Sequence, residues 1–254
     1  MKKIGIIDLG TNTFNLLLTQ IEEQNYTILH KNKIAVKLGE GGITKGFIAP
    51  NAYQRGLDAL KVHKETLAKY HIDEYYAVAT SAIRSANNGT QFVNDAQEQL
   101  GIHINVIDGD KEADLIYSGV KQALDLEEKP KLIIDIGGGS TEFIIGEGFT
   151  GLKRESLEMG CVSFSQRFFH DGQISKIRMK TALLAAGTRL RSIQRPYRKM
   201  GWIDAIGASG TIRTVANIVK ENGWADDGVI TPKSLDLLSE AIIEAGHIDQ
   251  FELE

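Results

Sequence analysis

The sequence contains little of several features that mark particular protein classes. One cysteine among 254 residues rules out an intramolecular disulfide, so we expect a reducing compartment and a cytoplasmic protein. We expect that cysteine, Cys161, to be a buried small hydrophobic residue rather than a nucleophile. No apolar run approaches the roughly 18 residues of a membrane span, which argues against a membrane partner. The four prolines do not form a proline-rich linker.

Positive charge is not in excess either. The net charge is −4 and the isoelectric point is about 5.9, so nothing in the overall balance attracts nucleic acid or an anionic membrane. A polyanionic substrate would therefore need local basic groups. We interpret the densest basic stretch, residues 189–199, as a solvated helix end, because cations near a helix C-terminus complement its dipole. Its cations are Arg189, Arg191, Arg195, Arg198 and Lys199.

Glycine, by contrast, is plentiful, and residues 132–145 (LIIDIGGGSTEFII) contain three in a row. The pattern predicts a strand, a tight turn and a second strand, with glycines that permit positive φ and leave space where a Cβ atom would lie. A phosphate fits such a gap. Asp135 and Glu142 flank the loop, and paired carboxylates suit a hard cation such as Mg²⁺. A purely structural hairpin is the alternative for this stretch taken alone.

A second copy of this pattern lies near the N-terminus, in residues 4–18 (IGIIDLGTNTFNLLL). The offset between Asp8 and Asp135 is 135 − 8 = 127, which is half of the 254 residues. The repeat predicts a duplicated protein with two similar domains, residues 1–126 and 127–254, each able to bury its own core.

The hydrophobic periodicity predicts alternating strands and helices in both halves. In the first half, strands are expected at 4–9, 13–21, 26–38, 75–79 and 102–107, and helices at 51–70, 90–100 and 110–126. In the second half, strands are expected at 132–136, 140–146, 150–157 and 203–206, and helices at 160–169, 175–193, after 211, and from 231 to 245.

Several loops in this arrangement combine small residues, hydroxyls and free backbone N–H groups, which together would bind phosphoryl groups. Arg84 follows a strand end and suits a guanidinium that binds phosphate, although a surface ion pair explains it equally well. Asp8 and Asp135 end the paired first strands, where carboxylates beside phosphate require a cation between them. The predicted phosphate-binding residues are Thr11, Asn12, Arg84, Gly138, Gly139, Ser140, Ser209, Gly210 and Thr211.

Six segments spread over residues 4–219 resemble one family. They are IDLGTNT at 7–13, TSAIR at 80–84, DGDKEADLIYSG at 108–119, DIGGGSTE at 135–142, SLEMGCV at 156–162 and GASGT at 207–211. Together they resemble the exopolyphosphatase and guanosine pentaphosphate phosphohydrolase family, within the superfamily of actin, sugar kinases and heat-shock chaperones. The resemblance implies an α/β fold of two tandem ribonuclease H-like, actin-like ATPase domains with mixed sheets and an interdomain cleft.

The resemblance also implies roles for individual residues. The family's catalytic glutamate falls on Glu112, which would act as general base, whereas the sequence alone favours a first-turn glutamate that complements a helix dipole. Glu142 would bind metal and also help to position the attacking water. Asp135 and Asp8 would complete a site for Mg²⁺ or another divalent cation, with K⁺ as a further candidate. Family members often carry a further strand and helix, which we expect to be missing from the second domain, and dimerisation is a further expectation.

The leading hypothesis is therefore a phosphohydrolase that releases terminal orthophosphate from inorganic polyphosphate, guanosine pentaphosphate, or both. Two alternatives stay open at this point. One is an ATP-dependent kinase or ATPase of the same superfamily, although fewer than 50 residues follow Thr211 to build an adenosine pocket. The other is a non-catalytic sensor of polyphosphate or an alarmone, against which the carboxylates Glu112, Asp135 and Glu142 argue.

Overall fold

A computed structural model describes residues 2–23, 25–72, 74–124, 129–148, 150–226 and 228–251. Contacts divide the chain into two units, Met1–Glu112 and Ala113–Glu254. The predicted domain boundary between residues 126 and 127 lies outside the described residues. Within the described ranges, no helix is both long and apolar enough to span a bilayer.

The first unit is built on a mixed five-stranded sheet with the order β3-β2-β1-β4-β5. β1 pairs antiparallel with β2 and parallel with β4, as the alternation of hairpin and crossover helix in the sequence requires. The strands are β1 (Lys2–Leu9), β2 (Thr13–Glu22), β3 (Asn25–Ala35), β4 (Glu74–Ala79) and β5 (Ile104–Val106). The helices of this unit are α1 (Pro50–Lys69), α2 (Ser81–Ser85) and α3 (Gly89–Leu100), and a 3₁₀ turn covers Ile43–Lys45. Helix α4 (Gly109–Ala123) begins in the first unit, and its residues from Ala113 onward belong to the second unit.

One face of this sheet forms the core of the first unit. Alternate residues of β1 and β2, among them Ile7 and Phe14, are fully buried against apolar residues of α1 such as Leu60. The period of two in the strands and the helical spacing in α1 produce this packing. On the opposite face, among the residues that the structure describes, Ile6 on β1 is 40% exposed and Tyr76 on β4 is 53% exposed.

The second unit contains a four-stranded mixed sheet with the order β8-β7-β6-β9. Its strands are β6 (Lys131–Ile136), β7 (Thr141–Glu147), β8 (Thr150–Leu157) and β9 (Asp204–Ala208). Its helices are α5 (Cys161–Phe168), α6 (Lys176–Met200), α7 (Ser209–Glu221) and α8 (Pro232–Ala245), followed by a 3₁₀ turn at Ile248–Gln250. Thr231 caps α8, because its Oγ1 atom accepts a hydrogen bond from the N–H of Ser234, and Pro232 lies in the first turn.

This second sheet is covered on both faces. On one face Phe143 and Ile145 of β7 pack with Ile193 and Tyr197 of α6. On the other face Ile133 and Ile144 pack with Ala113 and Tyr117 of α4. A strand that is buried on both faces has consecutive apolar residues, whereas a strand buried on one face alternates apolar and polar residues. Residues 143–145 of β7 are consecutive apolar residues.

The internal repeat predicted from the sequence is confirmed in the paired strands. Asp8 lies opposite Asn15 in the first hairpin, and Asp135 lies opposite Glu142 in the second, so the same offset of 127 applies to both pairs. The two turns also close in the same way. The N–H of Gly10 donates to the carbonyl of Thr13 at 3.1 Å, and the N–H of Gly137 donates to that of Ser140 at 3.0 Å. The prediction of an α/β protein with two mixed sheets is confirmed.

Some local predictions were wrong. β3 ends at Ala35 rather than near residue 38, and residues 81–85 form the short helix α2, where no element was predicted. Helix α6 does not end near residue 193. It continues through Pro196 to Met200, because Tyr197 is buried and donates from its hydroxyl to the carbonyl of Phe143 at 2.7 Å.

The turn glycines supply the space that the sequence predicted, whereas the expectation about cysteine was wrong. A Cβ atom at Gly137 would lie 3.2 Å from the carbonyl oxygen of Ser140, and neither Gly10 nor Gly137 adopts the positive φ that glycine permits. Cys161 is exposed rather than buried. Its backbone N–H binds the carbonyl of Gly137 at 2.9 Å, which fixes the start of α5, and its side chain faces solvent.

A buried histidine makes the stability of the first unit sensitive to acid. His63 on α1 is fully buried, and burial lowers its pKa below 6.5 although the backbone of Phe14 opposes the shift. As the pH falls below the pKa of an ordinary histidine, the imidazole of His63 becomes protonated in the unfolded chain but stays neutral in the folded one. This difference lowers the free energy of unfolding by up to about 1.4 kcal/mol per pH unit.

We therefore expect His63→Leu to flatten the decline of unfolding free energy between pH 7 and pH 5, measured by urea denaturation at each pH. His103→Gln is the matched control, since His103 is exposed and should leave the parent curve unchanged. An equally steep decline in His63→Leu and the parent would contradict this account.

Candidate active site

Glu112 lies in the first turn of α4, and the sequence before the helix fixes its position. The Oδ1 atom of Asp108 accepts a hydrogen bond from the N–H of Lys111 at 2.7 Å, so Asp108 caps the helix. The N–H of Glu112 then donates to the carbonyl of Asp108 at 3.0 Å. A capped first turn holds the glutamate backbone in a single place.

Arg84 holds the Glu112 side chain. Its Nη1 atom lies 3.1 Å from Oε2 of Glu112 and donates to the carbonyl of Ile107 at 2.8 Å, immediately after β5. The two side chains are largely buried, with 25% of Arg84 and 15% of Glu112 exposed. The structure thus brings together two predicted site residues that lie 28 positions apart in the sequence. Arg84 was predicted to bind phosphate, and in the structure its guanidinium contacts the carboxylate of Glu112.

The surroundings of Glu112 change its basicity in two directions. Burial raises the pKa of Glu112 above its ordinary value, and the negative charge of Asp8 adds to the increase. Hydrogen bonds from Arg84 and Thr80, with the positive charge of Arg84, oppose it. The net direction is upward, which makes Glu112 a better proton acceptor than an exposed glutamate while Arg84 keeps it oriented.

The first hairpin brings the charge of Asp8 close enough to act on Glu112. Asp8 lies in a groove lined by residues of β1, β2 and β3, where solvent reaches it but protein atoms surround it. This desolvation raises the pKa of Asp8, and a hydrogen bond from Nδ2 of Asn15 at 3.0 Å opposes the shift. Thr11 is buried, with its carbonyl bound to the N–H of Gly39, whereas the side chain of Asn12 is exposed and available to a ligand.

In the second unit, helix α5 holds the glycine loop. The N–H of Val162 and the N–H of Ser163 both donate to the carbonyl of Gly138, at 2.9 and 3.1 Å. These two N–H groups at the start of α5 are therefore occupied by the glycine loop. Ser140, on the other side of the loop, is buried.

Gly160 allows this packing. A Cβ atom at position 160 would lie 2.4 Å from the carbonyl carbon and oxygen of Gly138 and 2.5 Å from the nitrogen of Gly139. Its φ of −131° is open to any residue, so the requirement for glycine is contact with the loop and not backbone conformation.

Asp135 and Glu142 are cross-strand neighbours in the second hairpin. Residues directly opposite in an antiparallel pair project from the same face, so both carboxylates lie on one side of the sheet. Glu142 is 1% exposed and accepts a hydrogen bond from Oγ of Ser156 at 2.7 Å.

The donor chemistry of this pair fits a hard divalent cation, since two adjacent carboxylates and a serine hydroxyl are oxygen donors. Across the described ranges, however, no three histidine, cysteine, aspartate or glutamate side chains group closely enough to hold a metal. A cation bound here would therefore use Asp135 and Glu142 and complete its shell with water or substrate oxygens, and a role for Asp8 stays a prediction.

The last predicted loop begins α7. Ser209 has a φ of +72° and donates from its hydroxyl to the carbonyl of Ile136 at 2.9 Å, which ties the loop to the end of β6. The first N–H groups of α7 have no partner within the helix. Gly210 has no atom within 4 Å of the position of a Cβ atom, so an anion has room to approach there, beside Thr211.

The predicted residues thus fall into two groups, one in each unit. Reasoning from the sequence missed Asn15, Thr80 and Ser156, which hold Asp8, Glu112 and Glu142 respectively. All three had a signal in the sequence. Asn15 is the repeat equivalent of Glu142, because 15 + 127 = 142, Thr80 opens the TSAIR segment, and Ser156 opens the SLEMGCV segment.

Comparison with known proteins supports an actin-like phosphohydrolase class. A crystal structure of an exopolyphosphatase from Cytophaga hutchinsonii is similar to this chain with a TM-score of 0.85 and 32% identity, over 95% of this chain and 80% of that chain. The Ppx-GppA enzyme from Aquifex aeolicus is similar with a TM-score of 0.69 and 26% identity, over 87% and 72% of the two chains. These neighbours have the actin-like two-domain fold, which this chain shares.

The sequence comparisons agree. A proposed exopolyphosphatase from Haemophilus influenzae is 37% identical over 253 residues, which cover 100% of this chain and 78% of the relative. The model of the Ppx/GppA phosphatase family matches residues 17–254. The chain belongs to the Ppx/GppA phosphatase family.

Proposed function

We propose that this protein releases orthophosphate from the end of inorganic polyphosphate, and that guanosine pentaphosphate is a second substrate at the same site. The observation that carries the proposal is the largely buried Glu112, with its raised pKa, held by Arg84 at 3.1 Å. A structural first-turn glutamate needs neither burial nor an arginine partner. We place the activity in the cytoplasm, in keeping with the single cysteine.

In the proposed reaction, Glu112 accepts a proton from water as the water oxygen attacks the terminal phosphorus. The bond from that phosphorus to the bridging oxygen breaks, and the shortened chain leaves with the bridging oxygen. Arg84 keeps the carboxylate of Glu112 oriented toward the water. The glycine loop and the first turn of α7 offer backbone N–H groups to phosphoryl oxygens.

A divalent cation such as Mg²⁺ bound by Asp135 and Glu142 would neutralise phosphoryl charge. Ser156 fixes one oxygen of Glu142, so that carboxylate is already oriented for a cation or a water molecule. The proposal also includes K⁺ as an additional ion and a homodimer as the assembly. No residue contact is assigned to either.

Competitive turnover distinguishes the substrates. Phosphate release should be measured from polyphosphate, guanosine pentaphosphate and ATP, each alone and in pairs, with Mg²⁺ supplied. The proposal expects release from polyphosphate and mutual inhibition by guanosine pentaphosphate. Turnover of ATP alone, with transfer to an acceptor, would replace it with a kinase activity.

The pH profile provides a sharper prediction about Arg84. A general base must be ionised, so kcat/KM is lost as the pH falls through the pKa of Glu112. Arg84 lowers that pKa. We therefore expect Arg84→Gln to move the acid limb of the profile to higher pH, and Arg84→Lys, which keeps the charge, to move it less.

Lys111→Gln is the control for this prediction, since it removes an exposed cation from the same helical turn and should leave the limb in place. An acid limb in Arg84→Gln that stays in place, or that moves to lower pH, would show that Arg84 does not set the basicity of Glu112.

A further inference from the structure

Ser209 has an unusual backbone conformation for a residue that begins a helix. Its φ of +72° lies in the left-handed region, which is sterically unfavourable for a residue with a Cβ atom. Within the part of the chain that the structure describes, three other non-glycine residues have a positive φ, and they lie outside the helices and strands: Glu23, Lys37 and His71. Ser209, in contrast, is the first residue of α7. Backbone strain at a candidate site points to a role in function.

The turn from strand to helix does not itself require this conformation. In the first unit β4 pairs in parallel with β1, as β9 pairs in parallel with β6 in the second, and each of these strands leads into a helix. Thr80, between β4 and α2, has a φ of −120°, which any residue adopts. The positive φ of Ser209 therefore comes from a local interaction and not from the topology.

The side chain of Ser209 supplies that interaction. The pairing of β6 with β9 ends at Asp135 and Ala208. A side chain joins the next residue of each strand instead, because Oγ of Ser209 donates to the carbonyl of Ile136 at 2.9 Å. Glycine at position 209 would adopt the same φ without strain but has no hydroxyl to donate. The hydrogen bond thus accounts for a serine at this position.

This hydrogen bond connects two loops that the proposed function uses. Ile136 lies between Asp135, a candidate metal ligand, and Gly137, the first residue of the glycine loop. Ser209 begins the turn of α7 in which Gly210 leaves room for an anion. A serine hydroxyl has one proton, and the carbonyl of Ile136 accepts it, so the hydroxyl cannot also donate to a phosphoryl oxygen.

We propose that Ser209 is a positioning residue that holds the first turn of α7 at a fixed distance from the glycine loop, residues 137–139. This role differs from the phosphate contact predicted for Ser209 from the sequence. The inference rests on the proposed function, because a fixed spacing matters most when phosphoryl oxygens are held for in-line attack and matters less for binding alone. The strained backbone is the consequence of keeping the hydroxyl at this point.

Replacing Ser209 with alanine or with glycine removes the hydrogen bond in two ways. Alanine keeps the strain of the positive φ, whereas glycine relieves it. Both variants should lower kcat for phosphate release from polyphosphate about 10- to 100-fold, because a displacement of roughly 1 Å in a positioning loop can cost about 100-fold in rate. The dissociation constant of tripolyphosphate, measured by titration calorimetry in the Glu112→Gln background, should change by less than about twofold.

Thermal unfolding separates the strain from the hydrogen bond. Ser209→Gly should unfold about 2–4 °C higher than Ser209→Ala, the shift expected when one positive φ is relieved in a chain of this size. His71→Gly is the control for strain, since His71 is exposed with a φ of +53°, and it should unfold at a higher temperature than the parent with unchanged kcat. Ser192→Ala is the control for a lost hydroxyl. Ser192 is exposed and donates to the carbonyl of Arg189 at 2.9 Å within α6, so its replacement should leave kcat unchanged.

Three outcomes would overturn the inference. Parental kcat in both Ser209 variants would show that the hydrogen bond has only a structural role. A loss of tripolyphosphate binding as large as the loss of kcat/KM would make Ser209 a phosphate ligand. Equal unfolding temperatures of the alanine and glycine variants would contradict a strained backbone held by the hydroxyl.

Hydrogen–deuterium exchange tests the same inference without turnover. A parent protein that releases no phosphate from any substrate would remove the proposed function by itself. The amides of residues 137–139 should still exchange about five- to tenfold faster in Ser209→Ala than in Ser192→Ala, the factor that corresponds to one lost hydrogen bond. Equal exchange in these two variants would overturn the positioning role.

Discussion

Replacing Glu112 with glutamine is expected to lower kcat for phosphate release from polyphosphate by about 10²- to 10⁴-fold, the range that general bases contribute. Glutamine keeps the size of the side chain and can still accept a hydrogen bond from Arg84, but it cannot take a proton from water. Binding of polyphosphate should be retained, since the carboxylate contributes charge that repels phosphate. Initial rates of phosphate release at saturating polyphosphate measure this effect.

Asp110→Asn is the matched control. Asp110 lies in the same first turn of α4 but is exposed, so its replacement removes a negative charge near the helix N-terminus without touching the buried pair. We expect it to cost less than about 1 kcal/mol of stability and little activity. Equal losses in Asp110→Asn and Glu112→Gln would assign the role of Glu112 to the helix dipole rather than to proton transfer.

The second large effect is expected from Gly160→Ala. The added Cβ atom would lie 2.4 Å from the backbone of Gly138, so the glycine loop or the start of α5 must move. Overpacking of this kind typically costs about 1–3 kcal/mol. Because a shift of about 1 Å in a binding loop can cost about 100-fold in rate, we expect kcat/KM to fall by roughly that factor.

Gly187→Ala is the control for this steric effect. Gly187 lies within α6 and has no atom within 4 Å of the position of a Cβ atom. Alanine there should stabilise the helix by up to about 1 kcal/mol and leave kcat/KM unchanged. Thermal unfolding and steady-state kinetics of the two variants, measured side by side, separate the loop contact from the general cost of replacing a glycine. A Gly160→Ala enzyme with parental kcat/KM would exclude a role for the loop in catalysis.

The sequence predicted the parts of the fold that depend on local pattern and repetition. The two hairpins, their turns and the equivalence of Asp8 with Asp135 follow from alternating apolar residues and a constant offset. The end of α6 was not predictable in this way, because a proline normally terminates a helix. The burial of Tyr197, which keeps this helix going, depends on distant residues.

The candidate site was predictable to a different degree. Position alone made Glu112 an ordinary first-turn glutamate, and only the family resemblance gave it a role. Its contact with Arg84 joins residues 28 positions apart and needs the parallel pairing of β4 with β5, which the sequence does not encode locally. The need for glycine at position 160 is likewise visible only once α5 is packed on the loop.

The contrast between the two sheets could not be read from the sequence either. The repeat makes Ile6 and Ile133 equivalent, yet one is 40% exposed and the other is fully buried. Ile133 is buried because Ala113 and Tyr117 of α4 pack over the second sheet. The internal repeat therefore predicted equivalent strands in the two units. It did not predict which helices pack on each sheet.

The central claim is that this chain hydrolyses the terminal phosphoanhydride bond of a polyphosphoryl substrate with Glu112 as the base. Its most direct test is a time course of orthophosphate release from end-labelled polyphosphate by the parent protein with Mg²⁺, alongside Glu112→Gln. The account predicts label released as orthophosphate by the parent while the remaining chains shorten from their ends, and release at least about 100-fold slower by the variant. Equal rates for the two proteins, or internal cleavage of the chains, would contradict it.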